Sequence, residues 1–319
     1  MTIGAVLYPV LIYVSFAVAM GIAASALTTY YGQGAAGSGV AELIGYMNGV
    51  NYPRFIEISS LITKIFGVIL AVSARLCVGK EGPLAHIGAI FGSLVVYVPG
   101  MGFDFMRNDA QKRMLISAGS AAGAAAAFGA PIGGALFTYE LAKSSEFQTF
   151  AMIWRTFITC AFAVLTVDTA ESIWFHEPLM GVHSSLTKFG NPHIEQISNI
   201  QAMLPAIILG VVGGALGAFF IAVNFRVNAI RKVCLKSKRA KVIETGVWAA
   251  VSASVFFIAP YVMSVIKSDN CIVEEGKHLG TESVYQAWCE EGQFDKNAAL
   301  FWSAEGEVIK NMINWDIDE

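Results

Sequence analysis

Long runs of apolar residues, separated by short clusters of glycine and polar residues, make up most of the chain as far as Ile266. A helix needs about 20 mostly apolar residues to cross the hydrocarbon core of a bilayer. The runs long enough to do so are Ile3–Thr28, Arg54–Leu76, Ala202–Ala229 and Gly246–Ile266, and Phe150–Val167 predicts a further helix. The pattern therefore predicts an all-α membrane protein whose chain crosses the bilayer several times.

Shorter apolar pieces lie between these runs, and glycine or proline interrupts them. They are Val40–Met47, Leu84–Val98, Met114–Phe128 and Ile132–Ala142, the last two separated by Gly129-Ala130-Pro131. A broken helix frees backbone groups that lipid cannot satisfy, so such breaks persist where they line a cavity or face other helices. In transporters they mark the binding site, although short apolar pieces are equally typical of ordinary interfacial or re-entrant segments.

Polar stretches predict the connections between these pieces. Asp104–Arg113 and Glu171–Ser198 are expected to be loops, and residues 267–319 contain no membrane segment. We therefore divide the chain into a transmembrane domain over residues 1–266 and a region outside the membrane over residues 267–319. Met1 to Met20 is apolar but lacks the basic N-terminal region of a signal peptide, and the apolar stretch continues to about Tyr30 without a convincing cleavage site. This favours a retained membrane helix over a signal peptide.

The composition supports a membrane environment. The 319 residues are 55% hydrophobic and 14% charged, whereas soluble domains usually carry about 25% charged residues. The formal net charge of −3 gives no reason to expect a nucleic-acid partner. The five cysteines are scattered without the spacing of zinc ligands, and we expect neither a metal site nor a cofactor.

Basic residues predict the orientation of the chain. Those between the last two long runs are Arg226, Arg231, Lys232, Lys236, Lys238, Arg239 and Lys241. Basic loops stay on the cytoplasmic side of a membrane, so the acid-rich tail after Ile266 is expected on the opposite side. Cys271 and Cys289 in that tail could form a disulfide in an oxidising compartment or remain two free thiols.

The segment Gly37-Ser38-Gly39-Val40-Ala41-Glu42 is the first with possible binding chemistry. A serine at the start of a short helix is typical of an N-cap. The first turn of a helix presents unpaired N–H groups and a partial positive charge. A hydroxyl beside those groups makes an anion site, although the same residues also suit a plain cap.

Glu81 lies between glycines in Gly79-Lys80-Glu81-Gly82-Pro83, just before a predicted helix. Pro83 fits the first helical position. A carboxylate in this place is itself an anion held at a helix N-terminus, where a halide can displace it or a proton can neutralise it. An ionisable residue at membrane depth is costly and marks a functional site, unless Glu81 lies at the membrane surface and only stabilises the helix dipole.

Small residues fill a third segment, which runs from Gly119 to Glu140. It predicts two closely packed helices that end in one acid. Glycines four residues apart let helices approach one another. Such pairs are Gly88/Gly92, Gly119/Gly123, Gly129/Gly133, Gly210/Gly214 and Gly213/Gly217.

Together, the three segments resemble the CLC family of voltage-gated chloride channels and chloride/proton exchangers. Its members carry a GSGIPE stretch, a GKEGP or GREGP stretch and a GxAAGxAAAFxAPIGGxLFxxE stretch, in this order and at comparable separations. The resemblance runs from about Gly32 to Ile266, and the tail is similar to the lysosomal and endosomal branch. It implies a bundle of two inverted repeats with broken and re-entrant helices.

The resemblance implies a role for each matched residue. Ser38 would bind the central chloride through its hydroxyl, next to Gly39, and the Gly79 backbone would help to line the anion path. Glu81 would be the gating glutamate. Glu140 matches the first acid of the family's LFxxEE stretch, whereas Leu141 stands where exchangers have a second glutamate that relays protons.

Two departures from the family pattern change the expectation. Leu141 cannot carry a proton, and Glu140 should face elsewhere because neighbouring helix residues point about 100° apart. We therefore expect a passive chloride channel, with a chloride/proton exchanger of an intracellular membrane as the alternative. Ala41 replaces the family's usual proline and would loosen the start of the short helix.

The resemblance covers the first repeat and about two helices of the second, so the second repeat is incomplete. We therefore expect a piece of a longer transporter or a truncated, non-conducting subunit, and no selective chloride flux from these 319 residues alone. A homodimer, or a dimer with a full-length relative, is expected through Ile132–Ala142 and Phe150–Val167. The expected location is an endosomal, lysosomal or vacuolar membrane, with the plasma membrane as the alternative.

An intramembrane enzyme is the competing class. A rhomboid-like protease needs a GxSG serine and a membrane histidine, but Ala36 replaces the first glycine before Ser38. The histidines near apolar runs, His86 and His176, are not obviously paired with that serine. We therefore expect no enzymatic activity, and we interpret His86 as a packed or pore-lining residue, not a metal ligand.

Overall fold

The computed structural model describes residues 3–98, 103–141, 150–175, 200–266, 271–273, 289 and 293–302. The helices are α1 (Ile3–Tyr30), α2 (Val40–Met47), α3 (Ile58–Ser73), α4 (Glu81–Leu94), α5 (Asp109–Phe128), α6 (Pro131–Leu141), α7 (Phe150–Phe175), α8 (Ile200–Cys234), α9 (Lys238–Ile266) and α10 (Lys296–Trp302). Short 3₁₀ turns cover Gln33–Ala35, Val95–Tyr97 and Phe103–Met106. The strands β1 (Cys271–Val273) and β2 (Gln293–Asp295) pair antiparallel.

Four of these helices are long and apolar enough to cross a membrane. The segments that meet this requirement are Tyr8–Tyr30, Met152–Trp174, Met203–Cys234 and Lys238–Met263. The predicted all-α membrane fold is confirmed, and the small sheet lies in the tail, after the last of these segments. The span predicted over Arg54–Leu76 is wrong in length, because α3 has only 16 residues between turns at both ends.

Two predicted loops are partly helical. α5 begins at Asp109 because Asn108 has the extended backbone of an N-cap and Asp109 places a negative charge in the first turn. The loop predicted over Asp104–Arg113 is therefore wrong in its second half. α7 continues to Phe175, so the loop predicted from Glu171 is wrong in its first residues, and its remainder lies outside the described residues.

The predicted basic loop is mostly helical as well, because only three residues separate α8 from α9. Lysine and arginine are good helix formers, and near the C-terminus of a helix they also complement its dipole. Arg231 on α8 donates two hydrogen bonds to the Glu244 carboxylate on α9, at 2.7 and 2.8 Å. This ion pair joins the two helices across their short turn.

The core is built where α4 crosses α5. A Cβ on Gly88 would overlap the Gly119 carbonyl, and a Cβ on Gly92 would overlap the Leu115 carbonyl. The predicted close packing is therefore confirmed for the glycine pairs on these two helices. Gly129, with φ +62, caps the C-terminus of α5, which confirms the predicted break before α6.

The glycine pairs of α8 do not contact another helix in the described part of the chain. A Cβ on Gly210, Gly213, Gly214 or Gly217 would meet nothing within 4 Å in the described part of the chain. Close helix packing at these glycines is therefore not observed there.

The tail carries a short folded unit. The Asp295 carboxylate accepts hydrogen bonds from the Asn297 and Ala298 N–H groups, at 2.7 and 3.1 Å, and so caps α10. Cys289 is disulfide-bonded, so the alternative in which Cys271 and Cys289 are two free thiols is wrong. The cysteines Cys77, Cys160 and Cys234 are free thiols.

Candidate functional site

Ser38 stands immediately before the capped end of α2. The N-cap residue is Gly39, whose left-handed backbone, with φ +86, suits glycine. The predicted N-cap at Ser38 is therefore wrong by one residue. The Ser38 hydroxyl accepts a long hydrogen bond from the Val40 N–H, at 3.4 Å. It therefore still lies beside the first N–H groups of the helix.

Glu81 is the first residue of α4, three residues earlier than the predicted start at Leu84. Pro83 therefore occupies the third helical position, not the first, and this costs nothing because the early N–H groups of a helix have no helical partner. The first backbone hydrogen bond joins the Leu84 N–H to the Lys80 carbonyl at 3.0 Å. The half-buried Glu81 carboxylate folds back against Gly79, where a Cβ would overlap it.

The N-termini of α2 and α4 meet at Gly82. A Cβ on Gly82 would lie 2.8 Å from Ser38 Cβ and 3.3 Å from Val40 Cγ2. The absence of a side chain at Gly82 therefore allows Ser38 to lie against the first turn of α4, next to Glu81. Two positive helix ends converge at this point, so the structure brings the predicted site residues together.

Lys64 is the residue whose importance sequence reasoning missed. Its side chain is 2% exposed, and its Nζ donates hydrogen bonds to the Ala35 carbonyl at 3.1 Å and the Gly37 carbonyl at 2.8 Å. These bonds fix the loop that leads into Ser38. A lone lysine within an apolar run was the available signal, because a cation at membrane depth is functional by default.

His86 lies behind Gly39 and is fully buried. Its ring stacks on Phe55, with centroids 4.1 Å apart and planes 12° from parallel. Its Nε2 lies 3.0 Å from the Phe55 carbonyl and must donate, because a carbonyl can only accept. The expectation of a packed histidine is confirmed.

The Nδ1 atom of His86 faces Gly39, where a Cβ would lie 2.6 Å from it, and it has no hydrogen-bond partner. The serine–histidine pair of the protease alternative is therefore not formed between Ser38 and His86. His176 lies outside the described residues. No group of residues that could hold a metal occurs in the described ranges.

Leu141 and Glu140, at the end of α6, differ in their surroundings. Leu141 packs against a buried apolar cluster formed by Leu43, Met47, Phe55, Ala89 and Ile116. Glu140 is exposed. Leu141 therefore faces the interior beside α2, whereas the neighbouring Glu140 does not.

Comparison with known proteins gives consistent results. The chain matches the family described as voltage gated chloride channel over residues 20–282. It is 31% identical, over 98% of its length, to the human H(+)/Cl(-) exchange transporter 7, and it covers 38% of that protein. It is 36% identical, over 75% of its length, to Chloride channel protein D of Dictyostelium discoideum, of which it covers 24%.

A solved structure shares the fold. It is that of a slow cyanobacterial Cl-/H+ antiporter, with a TM-score of 0.59 and 20% sequence identity. The alignment covers 76% of this chain and 53% of the antiporter. The chain therefore has the helical membrane fold of this protein, and it spans little more than a third of the length of the human exchange transporter.

Proposed function

Because this chain belongs to the voltage-gated chloride channel family, we propose that it binds chloride where the N-termini of α2 and α4 meet, as part of a pathway for chloride across a membrane. The observation that carries this proposal is the contact between Gly82 and Ser38, which joins two positive helix ends. The Ser38 hydroxyl and the first N–H groups of α2, beginning near Gly39, are the donors to the anion. The Gly79 backbone lines its path.

Glu81 acts as the gate of this site. Its carboxylate lies at the N-terminus of α4 and competes with chloride for the same positive end. Protonation, or displacement by a chloride ion, removes that competition. In the closed arrangement that we propose, the carboxylate keeps the contact with Gly79 that it has in the structure.

Lys64 supplies the charge that a buried anion needs. Transferring an ion out of water costs several kcal/mol unless an opposite charge compensates for it. Lys64 donates hydrogen bonds to two neutral carbonyl groups, while the Glu42 carboxylate attracts it through space. A chloride ion beside Ser38 would lie next to the loop that Lys64 holds, and each charge would stabilise the other.

Passive conduction is the mode of transport that this site favours. An exchanger must relay protons to the gate from the cytoplasmic side, and Leu141 offers no ionisable group at that position. Leu141 packs against an apolar cluster, whose side chains offer no hydrogen-bond partner to a chain of waters. Exchange remains the alternative, because the similar proteins include one named an H(+)/Cl(-) exchange transporter and one named a chloride channel protein.

The membrane is proposed to be that of an oxidising intracellular compartment, such as an endosome, lysosome or vacuole. The disulfide at Cys289 requires an oxidising environment for the tail. The basic residues around the turn from α8 to α9 would then face the cytoplasm.

Chloride titration of the purified 319-residue chain tests the binding site. Ser38→Ala is expected to weaken chloride binding by roughly tenfold or more, because a hydrogen bond to a charged partner contributes about 1.5–3 kcal/mol. Glu81→Gln is expected to strengthen binding, because it removes the competing negative charge. Isothermal titration calorimetry in detergent measures both effects.

Ser59→Ala is the matched control for this titration, because Ser59 is an exposed serine whose hydroxyl donates to the carboxylate of Glu57, the N-cap residue of α3. It should leave chloride binding unchanged. If Ser38→Ala and Glu81→Gln both bind chloride like the unaltered protein, the anion does not occupy this site.

We also propose that a second copy of this chain, or a full-length relative, packs against α6 and α7. Leu136 on α6 is 59% exposed and Phe162 on α7 is 65% exposed, within rows of exposed apolar side chains. Leu136→Trp together with Phe162→Trp is expected to weaken dimerisation by at least about tenfold, because overpacking a contact typically costs 1–3 kcal/mol. Subunit counting by single-molecule photobleaching in nanodiscs measures the dimer fraction.

The control for dimerisation is Phe220→Trp on α8, because the Phe220 side chain is 70% exposed on another long apolar helix. It should not change the dimer fraction. A double variant that dimerises like the unaltered chain would place the contact between copies elsewhere.

A further inference from the structure

Arg75 has an unusual backbone conformation. It follows α3 and has φ +51, in the left-handed region that favours glycine. A side chain other than glycine stays there only where surrounding contacts hold it, and such strain concentrates at functional positions. The contacts of Arg75 therefore point to what the residue does.

Arg75 contacts the tail of the protein. Its Nη2 donates a hydrogen bond to the Trp302 carbonyl at 2.7 Å, across 227 positions of the chain. Trp302 in turn donates from Nε1 to the Phe256 carbonyl at 3.3 Å, and its ring packs 5.5 Å from that of Phe257. Arg75 therefore links the end of α3 to α10, which packs against α9.

The same residue begins the short loop that presents Glu81. Only residues 76–80 separate Arg75 from α4, and Val78 N–H closes a tight turn onto the Leu76 carbonyl at 2.7 Å. Gly79 in this loop is the residue against which the Glu81 carboxylate folds. Arg75 therefore lies only a few residues from the place where the Glu81 carboxylate rests.

We propose that Arg75 is a positioning residue through which the docked α10 segment holds Glu81 in its closed arrangement against Gly79. This inference rests on the proposed function, because it assumes that Glu81 competes with chloride. Release of α10 lets the loop move, weakens the hold on the carboxylate and makes chloride binding tighter. Docking of the tail outside the membrane thereby determines how strongly the Glu81 carboxylate competes with chloride.

Cys77 offers a direct probe of the loop. It is an exposed free thiol between Arg75 and Gly79, and Cys234→Ser removes the other exposed free thiol among the described residues. In that background, Arg75→Gly removes the contact with Trp302 and also relieves the backbone strain. We expect the rate of Cys77 labelling by a maleimide to rise about fivefold or more, and chloride to bind about fivefold more tightly, which is the lower range of couplings between sites.

Two further variants separate positioning from general damage. Arg75→Lys retains a donor and a positive charge and should restore much of the unaltered behaviour in both measurements. Ala298→Asp places a charge at a fully buried position of α10 and should unseat the segment while Arg75 is intact. It should reproduce both effects of Arg75→Gly.

Arg54→Gly is the matched control, because Arg54 is the other described non-glycine residue with positive φ, at +62. It relieves similar strain and should leave both measurements unchanged. Unchanged Cys77 labelling in Arg75→Gly and Ala298→Asp would overturn the inference. If the unaltered chain binds no chloride, the proposed function fails, while the labelling rates still decide whether α10 holds the loop.

Discussion

Lys64→Met is expected to weaken chloride binding by more than about tenfold, which corresponds to at least 1.4 kcal/mol. Methionine has nearly the length of lysine but no charge and no donor. The Ala35 and Gly37 carbonyls lose their hydrogen bonds, which releases the loop before Ser38. The anion also loses the buried positive charge that compensates for its transfer from water. Calorimetric titration with chloride measures the change.

Two comparisons distinguish lost charge compensation from lost folding. Lys64→Arg keeps the positive charge and the donors and should retain most of the affinity. Lys232→Met removes the same charge from an exposed position on α8 and should have no effect. If Lys64→Met keeps its thermal unfolding midpoint and binds chloride normally, Lys64 contributes neither its charge nor its loop contacts to the site.

The helices were largely predictable from the sequence, because a helix that lies in lipid needs a long run of apolar residues. α2 has the predicted bounds, since glycine and turn residues end the apolar piece on both sides. The sequence predicted starts for α4, α5 and α9 that are several residues too late, and the cause is the same for all three helices. Polar and glycine residues occupy their first turns, where exposed N–H groups tolerate them, so apolar periodicity begins after the helix does.

The contacts that build the site were less accessible from sequence. The motifs indicated Ser38 and Glu81 separately, but the approach at Gly82 depends on how two helices cross. Lys64 bonds to the Gly37 carbonyl 27 positions away, and Arg75 bonds to the Trp302 carbonyl 227 positions away. Local patterns of polarity do not identify such pairs, because the Lys64 and Arg75 side chains could each have donated to other carbonyl groups.

Gly82→Val is expected to separate the two halves of the site. A Cβ at this position would lie 2.8 Å from Ser38 Cβ, closer than side chains tolerate, and valine adds two further methyl groups. α2 must therefore move away from α4, and the two positive helix ends no longer converge. We expect chloride affinity to fall by about tenfold or more, with a loss of about 1–3 kcal/mol in stability from overpacking.

Gly133→Val in α6 is the matched control, because a Cβ there meets only Ala130 Cβ, at 3.4 Å. Gly82→Ala should have an intermediate effect, since it adds one methyl group at the same place. Gly82→Ala combined with Ser38→Gly removes the clash and the hydroxyl together, so the thermal unfolding midpoint should recover while chloride binding stays weak. A double variant that regains chloride binding would show that close approach of the helices, without the Ser38 hydroxyl, is sufficient for the site.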